Sequence, residues 1–221
     1  MNKIDFIYSY NNIDYDFAMS YMADKLEKII KGIDNQAIWL LEHHSIYTAG
    51  RSANDADILK KVNIPYHYTD RGGKFTYHGP GQRIIYVMLD LNRIFLGKPD
   101  LKLFIKKLGS WMVNVLKANQ IMANMEHENI GVWVGAGQSK KKIASIGIKL
   151  KKWTSYHGIA INVNPDMSYF DHIIPCGIVD YKMTSMELEG AVNLNCKKLD
   201  EVIRDKFLEE FNFIIGQEYG I

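Results

Sequence analysis

The chain has 221 residues, 47% of them hydrophobic and 24% charged, which suits a single globular domain over 1–221 and is too apolar for a disordered chain. Its 27 basic and 25 acidic residues leave a net charge of +2, too balanced for nucleic-acid binding through overall charge. Only two cysteines, Cys176 and Cys196, are present, which argues against a cystine scaffold or a four-ligand zinc site and fits a reducing cytoplasm.

The opening MNKIDFIYSYNNIDYD lacks a signal-peptide core, and no apolar run approaches the roughly 20 residues of a membrane span, so neither secretion nor a membrane is expected. A short apolar run at 6–9 reads as a strand. Residues 14–31 then place Ala18, Tyr21, Met22, Leu26, Ile29 and Ile30 on one helical stripe. Strands follow at 37–42 and 83–89. Between those two lies RGGKFTYHGPGQ, residues 71–82, with four glycines and a proline in twelve positions. A chain accepts that entropy cost where backbone must take positive φ or approach a ligand, and the exposed amides can then bind a ligand oxygen. Two plain turns around a short strand would read the same way. The segment is neither a Walker loop nor a dinucleotide fingerprint, because it lacks the GK[ST] ending and the GxGxxG helix start.

A second helical stripe covers 100–117 through Leu101, Phe104, Leu108, Trp111, Met112 and Val115. Strands are expected at 130–134, 143–150 and 157–163. From Lys140 to Lys152 there are six lysines and no acid, which is either a solvated strand face or a patch for an acidic partner. If this strand alternates without a break, Lys142 shares a face with Ala144, Ile146, Ile148 and Leu150, while Lys141, Lys149 and Lys151 point the other way with Gly147. A lysine on an apolar face has a lowered pKa and is a candidate for proton transfer, unless it snorkels to water.

Further on, HIIPCGI at 172–178 sets Cys176 between a proline and a glycine. Most free cysteines are buried small hydrophobes inside regular elements; one in a rigid turn is a candidate nucleophile. Cys196, among Asn195, Lys197 and Lys198 near a helix start, looks incidental. The histidines His43, His44, His78, His127, His157 and His172 form no HExxH pattern, so no metal is expected. Of these, His78 inside the glycine-rich segment and His157 before Gly158 are the candidates for hydrogen-bonding a bound ligand. A last stripe, Leu199, Val202, Ile203, Phe207 and Phe211, reads as a packing helix. Strands that follow one another through short turns point to an α+β fold with a mixed, largely antiparallel sheet covered by helices.

Taken in order, EHHSIYTAGR, RGGKFTYHGPGQ with IIYVMLDL, KKIASIG, YHGIAINVN, PCG and TSMELE resemble the lipoyl(octanoyl) transferase family. The resemblance runs from about Glu42 to Glu189. It implies the catalytic-domain fold of biotin and lipoate protein ligases, and transfer of an octanoyl group from octanoyl-acyl carrier protein to a lysine of lipoyl domains, those of 2-oxoacid dehydrogenase complexes and of the glycine cleavage H protein. It implies a cysteine thioester intermediate, with no cofactor, ATP or metal. The implied catalytic pair is Cys176 and Lys142. The implied acyl-binding residues are Arg71, Gly72, Gly73, Lys74, Phe75, Thr76, Tyr77 and His78, then Ser145, Ile146 and Gly147, then Gly158, Ile159 and Ala160. The open alternatives are an ATP-dependent lipoate ligase on the same fold, a noncatalytic acyl or carrier-protein binding module, and a thiol hydrolase.

Overall fold

A computed structural model describes residues 3–126, 128–175, 181–192 and 195–221. In chain order its elements are β1 (Lys3–Ile13), α1 (Tyr15–Ile30), β2 (Gln36–His43), β3 (Ile46–Ala49), β4 (Tyr66–Tyr68), β5 (Phe75–His78), β6 (Gln82–Met88), α2 (Leu91–Ile94), α3 (Leu101–Ala118), β7 (Ala123–Glu126), β8 (Gly131–Val134), β9 (Lys141–Lys151), β10 (Thr154–Asn162), β11 (Lys182–Met183), α4 (Cys196–Phe211) and β12 (Ile214–Gly220). Each long helix begins where the sequence supplies a side-chain acceptor. Asp14 accepts from Phe17 N at 3.0 Å, Asp100 from Leu103 N at 3.0 Å and Asn195 from Lys198 N at 3.2 Å, each satisfying an amide that a helix start leaves unpaired.

The main sheet runs β12-β1-β2-β6-β10-β9-β8-β7, with β11 beside β9. Its β12, β1 and β2 are parallel neighbours, whereas β2, β6, β10, β9, β8 and β7 are each antiparallel to the next. The sheet is therefore mixed with an antiparallel middle, and α1 is the crossover that a parallel β1-β2 pair requires.

Alternation sorts the sheet into two faces. Leu40, Ile85, Val87, Ile159 and Ile161 pack beneath α3 and α4, against Phe104, Leu108, Trp111, Ile203 and Phe207. Ala37, Trp39, Leu41, Ile84 and Tyr86 point the other way, under Ala18, Met22 and Ile29 of α1. Strand β6 is buried throughout. Its one charge, Arg83, donates from Nε and Nη2 to the two oxygens of Asp200 at 2.9 and 2.7 Å, a paired fork that joins β6 to α4 and offsets the cost of burying both ions. A smaller sheet, β4-β3-β5, has its own apolar cluster of Tyr47, Phe75, Tyr77, Phe170 and Ile173.

Candidate active site

Strands β9 and β10 pair without interruption, so that Gly147 faces Gly158 and Ser145 faces Ala160. On its other side β9 meets β8 with a register shift: Ala144 opposes Val132, but Lys142 opposes Trp133. Ile143 is thus the extra residue of a β-bulge. Val132 and Ala144 belong to the core beneath α3 and α4, and Gly131 and Trp133 alternate to the other face. The bulge therefore moves Lys142 off the face of Ala144, Ile146 and Ile148, where unbroken alternation would put it, and onto that of Ser145 and Gly147. There its Nζ lies 5.3 Å from the centre of the Trp133 ring, and the residue is 3% exposed. Gly131 makes the room, because a Cβ there would stand 2.2 Å from Lys142 Cε and 3.0 Å from Nζ.

Strand β8 starts at Gly131, opposite Ser145, so among the described residues no strand covers that edge of β9 beyond Ser145. The glycine-rich loop takes its place, with Gly72 N donating to Ile148 O at 3.4 Å. A Cβ on Gly147 would lie 3.4 Å from Gly72 O, whereas one on Gly158 would lie 1.9 Å from Ile85 O. Arg71 holds the loop in shape: Nη1 donates to Gly72 O at 2.9 Å, and Nη2 to Thr48 O, Thr48 Oγ1 and Lys74 O at 2.7, 2.8 and 3.0 Å. Arg51 N and Ser52 N add bonds to Arg71 O and Gly73 O at 3.0 and 3.1 Å, so the EHHSIYTAGR segment serves as the loop's foundation. Asp70 fastens the loop to the β9-β10 hairpin, accepting from Lys149 Nζ at 2.7 Å and Tyr156 OH at 2.9 Å and pairing with His157 Nε2 at 3.0 Å. Burial works to raise the Asp70 pKa, yet the bonds from Lys149, His157 and Tyr156 together hold it well below the usual carboxylate range.

Between this loop, the hairpin and the start of α3 lies a cavity of about 330 Å³, within the range of small-ligand sites. Its lining spans both faces of the sheet around the uncovered edge of β9. Ile146 and Ile148 with Leu101 and Ile105 form an apolar wall; Ser145, Gly147, Gly158, Ala160 and Tyr86 line the other side with Lys142.

The histidines beside it are neutral hydrogen-bonding groups. His43 Nδ1 donates to Ile13 O at 2.8 Å, since a carbonyl only accepts, and Nε2 then accepts Tyr86 O–H at 2.8 Å. Burial pushes the His43 pKa down to about 4 and that of the Tyr86 hydroxyl well above its ordinary value. Gln82 Nε2 donates to Tyr77 O and to Asn162 Oδ1 at 3.1 and 2.8 Å, so Gln82 Oε1 accepts from His78 Nδ1 at 2.7 Å. Burial drives His78 down to about 3. Asn162 Nδ2 donates to Thr184 O and Thr184 N to Lys142 O, both at 2.9 Å, so one hydrogen-bonded chain runs from His78 to the strand of Lys142. Burial also lowers His157, against the pull of Asp70.

The cavity gathers Arg71, Gly72, Gly73, Lys74, Thr76, His78, Lys142, Ser145, Ile146, Gly147, Gly158, Ile159 and Ala160 from three separate stretches of sequence. Phe75 and Tyr77 are the exceptions. Alternation along β5 turns them into the cluster of the small sheet, so they support the loop from behind. Cys176 and His127 lie outside the described residues. On the two sides of 176–180, Ile174 N donates to Asp57 O at 2.7 Å, and Lys182 and Met183 pair with Lys141 and Lys142. Burial pushes the Cys196 thiol up to about 12, with Glu42 adding to the rise, and Cys196 does not line the cavity.

Sequence reasoning missed Tyr15, Tyr86 and Ile105, which also line the cavity, and assigned Leu101 to the core, where it is 39% exposed. The available signal was Ile105, an apolar residue beside the packing stripe of α3. The lysine run is not an open basic face either: Lys140, Lys141, Lys149 and Lys151 pair with Glu126, Glu189, Asp70 and Glu27.

Comparison with known proteins adds three findings. Residues 14–208 match the family model described as the lipoyl protein ligase A/B catalytic domain. Proteins named octanoyltransferase from Wolbachia pipientis and Ehrlichia chaffeensis are 44% and 42% identical over 90% of this chain, and over 95% and 92% of their own lengths. Among solved structures, a bipartite lipoate protein ligase from Thermoplasma acidophilum covers 99% of this chain and 87% of its own at a TM-score of 0.71 and 15% identity. A lipoate-protein ligase A bound with ATP gives 99% and 89%, a TM-score of 0.70 and 15% identity, and biotin protein ligase from Aquifex aeolicus 96% and 70%, a TM-score of 0.51 and 13% identity. These likenesses are of fold.

Proposed function

Because the chain belongs to the lipoyl protein ligase A/B catalytic domain family, we propose that it works as one catalytic domain through a thioester on Cys176, with Lys142 moving the protons. It is an acyltransferase that transfers octanoyl groups in protein lipoylation. The observation that carries the site assignment is the cavity in which Lys142, the Arg71–Lys74 loop and the Gly147/Gly158 pair meet beside an apolar wall. The described residues next to 176–180 are paired to Lys142 itself through Met183, which supports a shared centre for Cys176 and Lys142.

In the first half-reaction the Cys176 thiolate attacks the thioester carbonyl of octanoyl-acyl carrier protein. A new Sγ–acyl bond forms, the bond to the carrier's thiol breaks, and that thiol leaves with a proton. In the second, the amine of a lipoyl-domain lysine attacks the acyl-enzyme, an amide forms, the amine's proton is taken up and Cys176 is released. Aminolysis of a thioester runs downhill, so ATP has no role. A nearby cation that only lowers the thiol pKa gives little: a drop of two units from about 8.5 raises the thiolate fraction at pH 7 about 25-fold, while a Brønsted slope of about 0.45 takes back about eightfold. The larger service of Lys142 is therefore to take the thiol proton, give it to the leaving group and accept one from the attacking amine. Ile146, Ile148, Leu101 and Ile105 receive the acyl chain, and amides near Gly147 and Gly158 stabilise the oxyanion. A cytoplasmic setting fits these partners; no helix among the described residues is long and apolar enough to cross a membrane.

Intact-protein mass after incubation with octanoyl-acyl carrier protein, without ATP, tests this reading. The expected result is an octanoyl adduct that is absent in Cys176→Ala and discharged by a lipoyl domain. A lipoyl domain modified only when ATP and free octanoate are supplied would overturn it in favour of a ligase.

A further inference from the structure

Four lysines of the 140–152 run are paired with carboxylates, but Lys152 and three lysines from outside the run are not. Lys98, Lys102, Lys106 and Lys152 are exposed, and among the described residues none has a carboxylate within the 4.0 Å of an ion pair. The fold collects them beside the cavity. The β9-β10 turn touches the segment leading into α3: Leu91 N donates to Trp153 O at 2.9 Å, and Asp90 bridges Thr154. Lys102 and Lys106, one turn apart on α3, directly follow Leu101 and Ile105, which form the cavity's apolar wall.

The same rim exposes apolar surface, with Leu96 91% and Trp153 44% accessible. Leu96, Lys152 and Trp153 also have φ of 52°, 49° and 63°, a left-handed backbone that disfavours residues with a Cβ. A two-residue hairpin turn needs that conformation, but Asn-Gly adopts it with less strain than Lys-Trp. Backbone strain of this kind gathers at ligand clamps and functional surfaces.

We propose that Leu96, Lys98, Lys102, Lys106, Lys152 and Trp153 form the docking rim for the acidic carrier protein that delivers the octanoyl thioester. The inference rests on the acyl-enzyme reading above and adds to it where the donor sits. The carrier presents acidic side chains and a phosphodiester-linked arm, both complementary to the rim.

The test compares wild-type enzyme with Lys102→Glu/Lys106→Glu and with Lys117→Glu/Lys198→Glu, which makes the same change of charge at the far end of α3 and on α4. Acyl-enzyme formation is followed with octanoyl-acyl carrier protein and with an uncharged octanoyl N-acetylcysteamine thioester. The rim variant is expected to raise KM for the carrier protein about tenfold or more and to leave the small thioester unchanged, with the control variant like wild type. Salt should raise the wild-type KM and leave that of the rim variant nearly flat. An unchanged carrier KM in the rim variant overturns the proposal, and so does a defect confined to discharge by the lipoyl domain. Titrating octanoyl-acyl carrier protein against the Cys176→Ala enzyme reads docking without chemistry. A tenfold weaker Kd in the rim variant supports the rim even if the thioester reading fails, and equal Kd values refute it.

Discussion

Gly147 and Gly158 face each other across one strand pair, yet the same substitution should act on them in opposite ways. A Cβ at Gly147 meets only ordinary contacts, Gly72 O at 3.4 Å and Arg71 Cδ at 3.5 Å. Alanine in a strand is favoured over glycine by about 0.5–1 kcal/mol, so Gly147→Ala should leave folding unchanged or slightly firmer. At Gly158 the Cβ would lie 1.9 Å from Ile85 O, 3.0 Å from Ile85 C and 3.2 Å from Tyr86 Cα. All three are backbone atoms of the central strand, so relief requires moving the β6-β10 pairing by more than about 1 Å, with an overpacking cost near the top of the usual ~1–3 kcal/mol. At roughly 2–4 °C per kcal/mol for a chain of this size, Gly158→Ala should lose about 6–12 °C in Tm, and Gly147→Ala should stay within about 3 °C of wild type. Activity should divide differently, because the Gly147 methyl enters the cavity beside the loop. A misfit of about 1–2 kcal/mol there predicts octanoyl transfer reduced about 5- to 30-fold in a fully folded enzyme, with shorter acyl donors affected less. The assays are thermal unfolding and acyl-enzyme formation with donors of four to ten carbons. A Gly158→Ala protein as stable as wild type, or a Gly147→Ala enzyme with undiminished octanoyl transfer, would refute the reasoning.

Three other outcomes follow from the geometry. Gly131→Ala places a Cβ 2.2 Å from Lys142 Cε and 2.9 Å from Ala144 O, so it should lower stability through the β8-β9 pairing and also push the end of Lys142 by about 1 Å, lowering kcat on the order of 100-fold with little change in KM for the carrier protein; a wild-type kcat in a folded variant would mean that the position of Lys142 does not matter. Because His43 is held near 4 in the folded protein against about 6.5 unfolded, the unfolded state binds the extra proton between those values. Stability should therefore be full above about pH 6.5 and fall as pH drops towards 4, with a slope of up to about 1.4 kcal/mol per pH unit from this group; thermal unfolding of His43→Gln should show a shallower acid limb, and an identical limb would remove His43 as a cause. With the Cys196 thiol pushed up to about 12, alkylation at pH 7.5 should modify a single thiol, identified as Cys176 by peptide mapping, and Cys196→Ala should retain full transfer; rapid alkylation of Cys196 would contradict its raised pKa.

Much of this protein is legible without coordinates. The stripes from Ala18 to Ile29, from Phe104 to Val115 and from Leu199 to Phe211 recur at helical spacing, and the structure adds the caps Asp14, Asp100 and Asn195 at their starts. The strand runs at 37–42, 83–89 and 157–163 fall on β2, β6 and β10 because buried strands are continuous apolar stretches. The segments Arg71–His78, Ser145–Gly147 and Gly158–Ala160 stand out through glycine content and family pattern, both properties of local chain chemistry. The small strands β3, β4 and β7 do not, because three or four residues are too few to display a period.

Tertiary structure decided which of the flagged residues face the ligand. Pairing within β5 separates Thr76 and His78 from Phe75 and Tyr77, and a single extra residue at Ile143 reverses the face of Lys142. Neither is visible in an alternation count, since a bulge exists only relative to the partner strand. The same holds for charge. Four of the lysines crowded together in sequence find carboxylates brought from Glu27, Asp70, Glu126 and Glu189, while the exposed lysines beside the cavity come from the β9-β10 turn and from around the start of α3, far apart along the chain. Sequence sets which side chains and backbone conformations are available; the distances that make them a wall, a latch or a rim arise only when strands from different parts of the chain are hydrogen-bonded into one sheet.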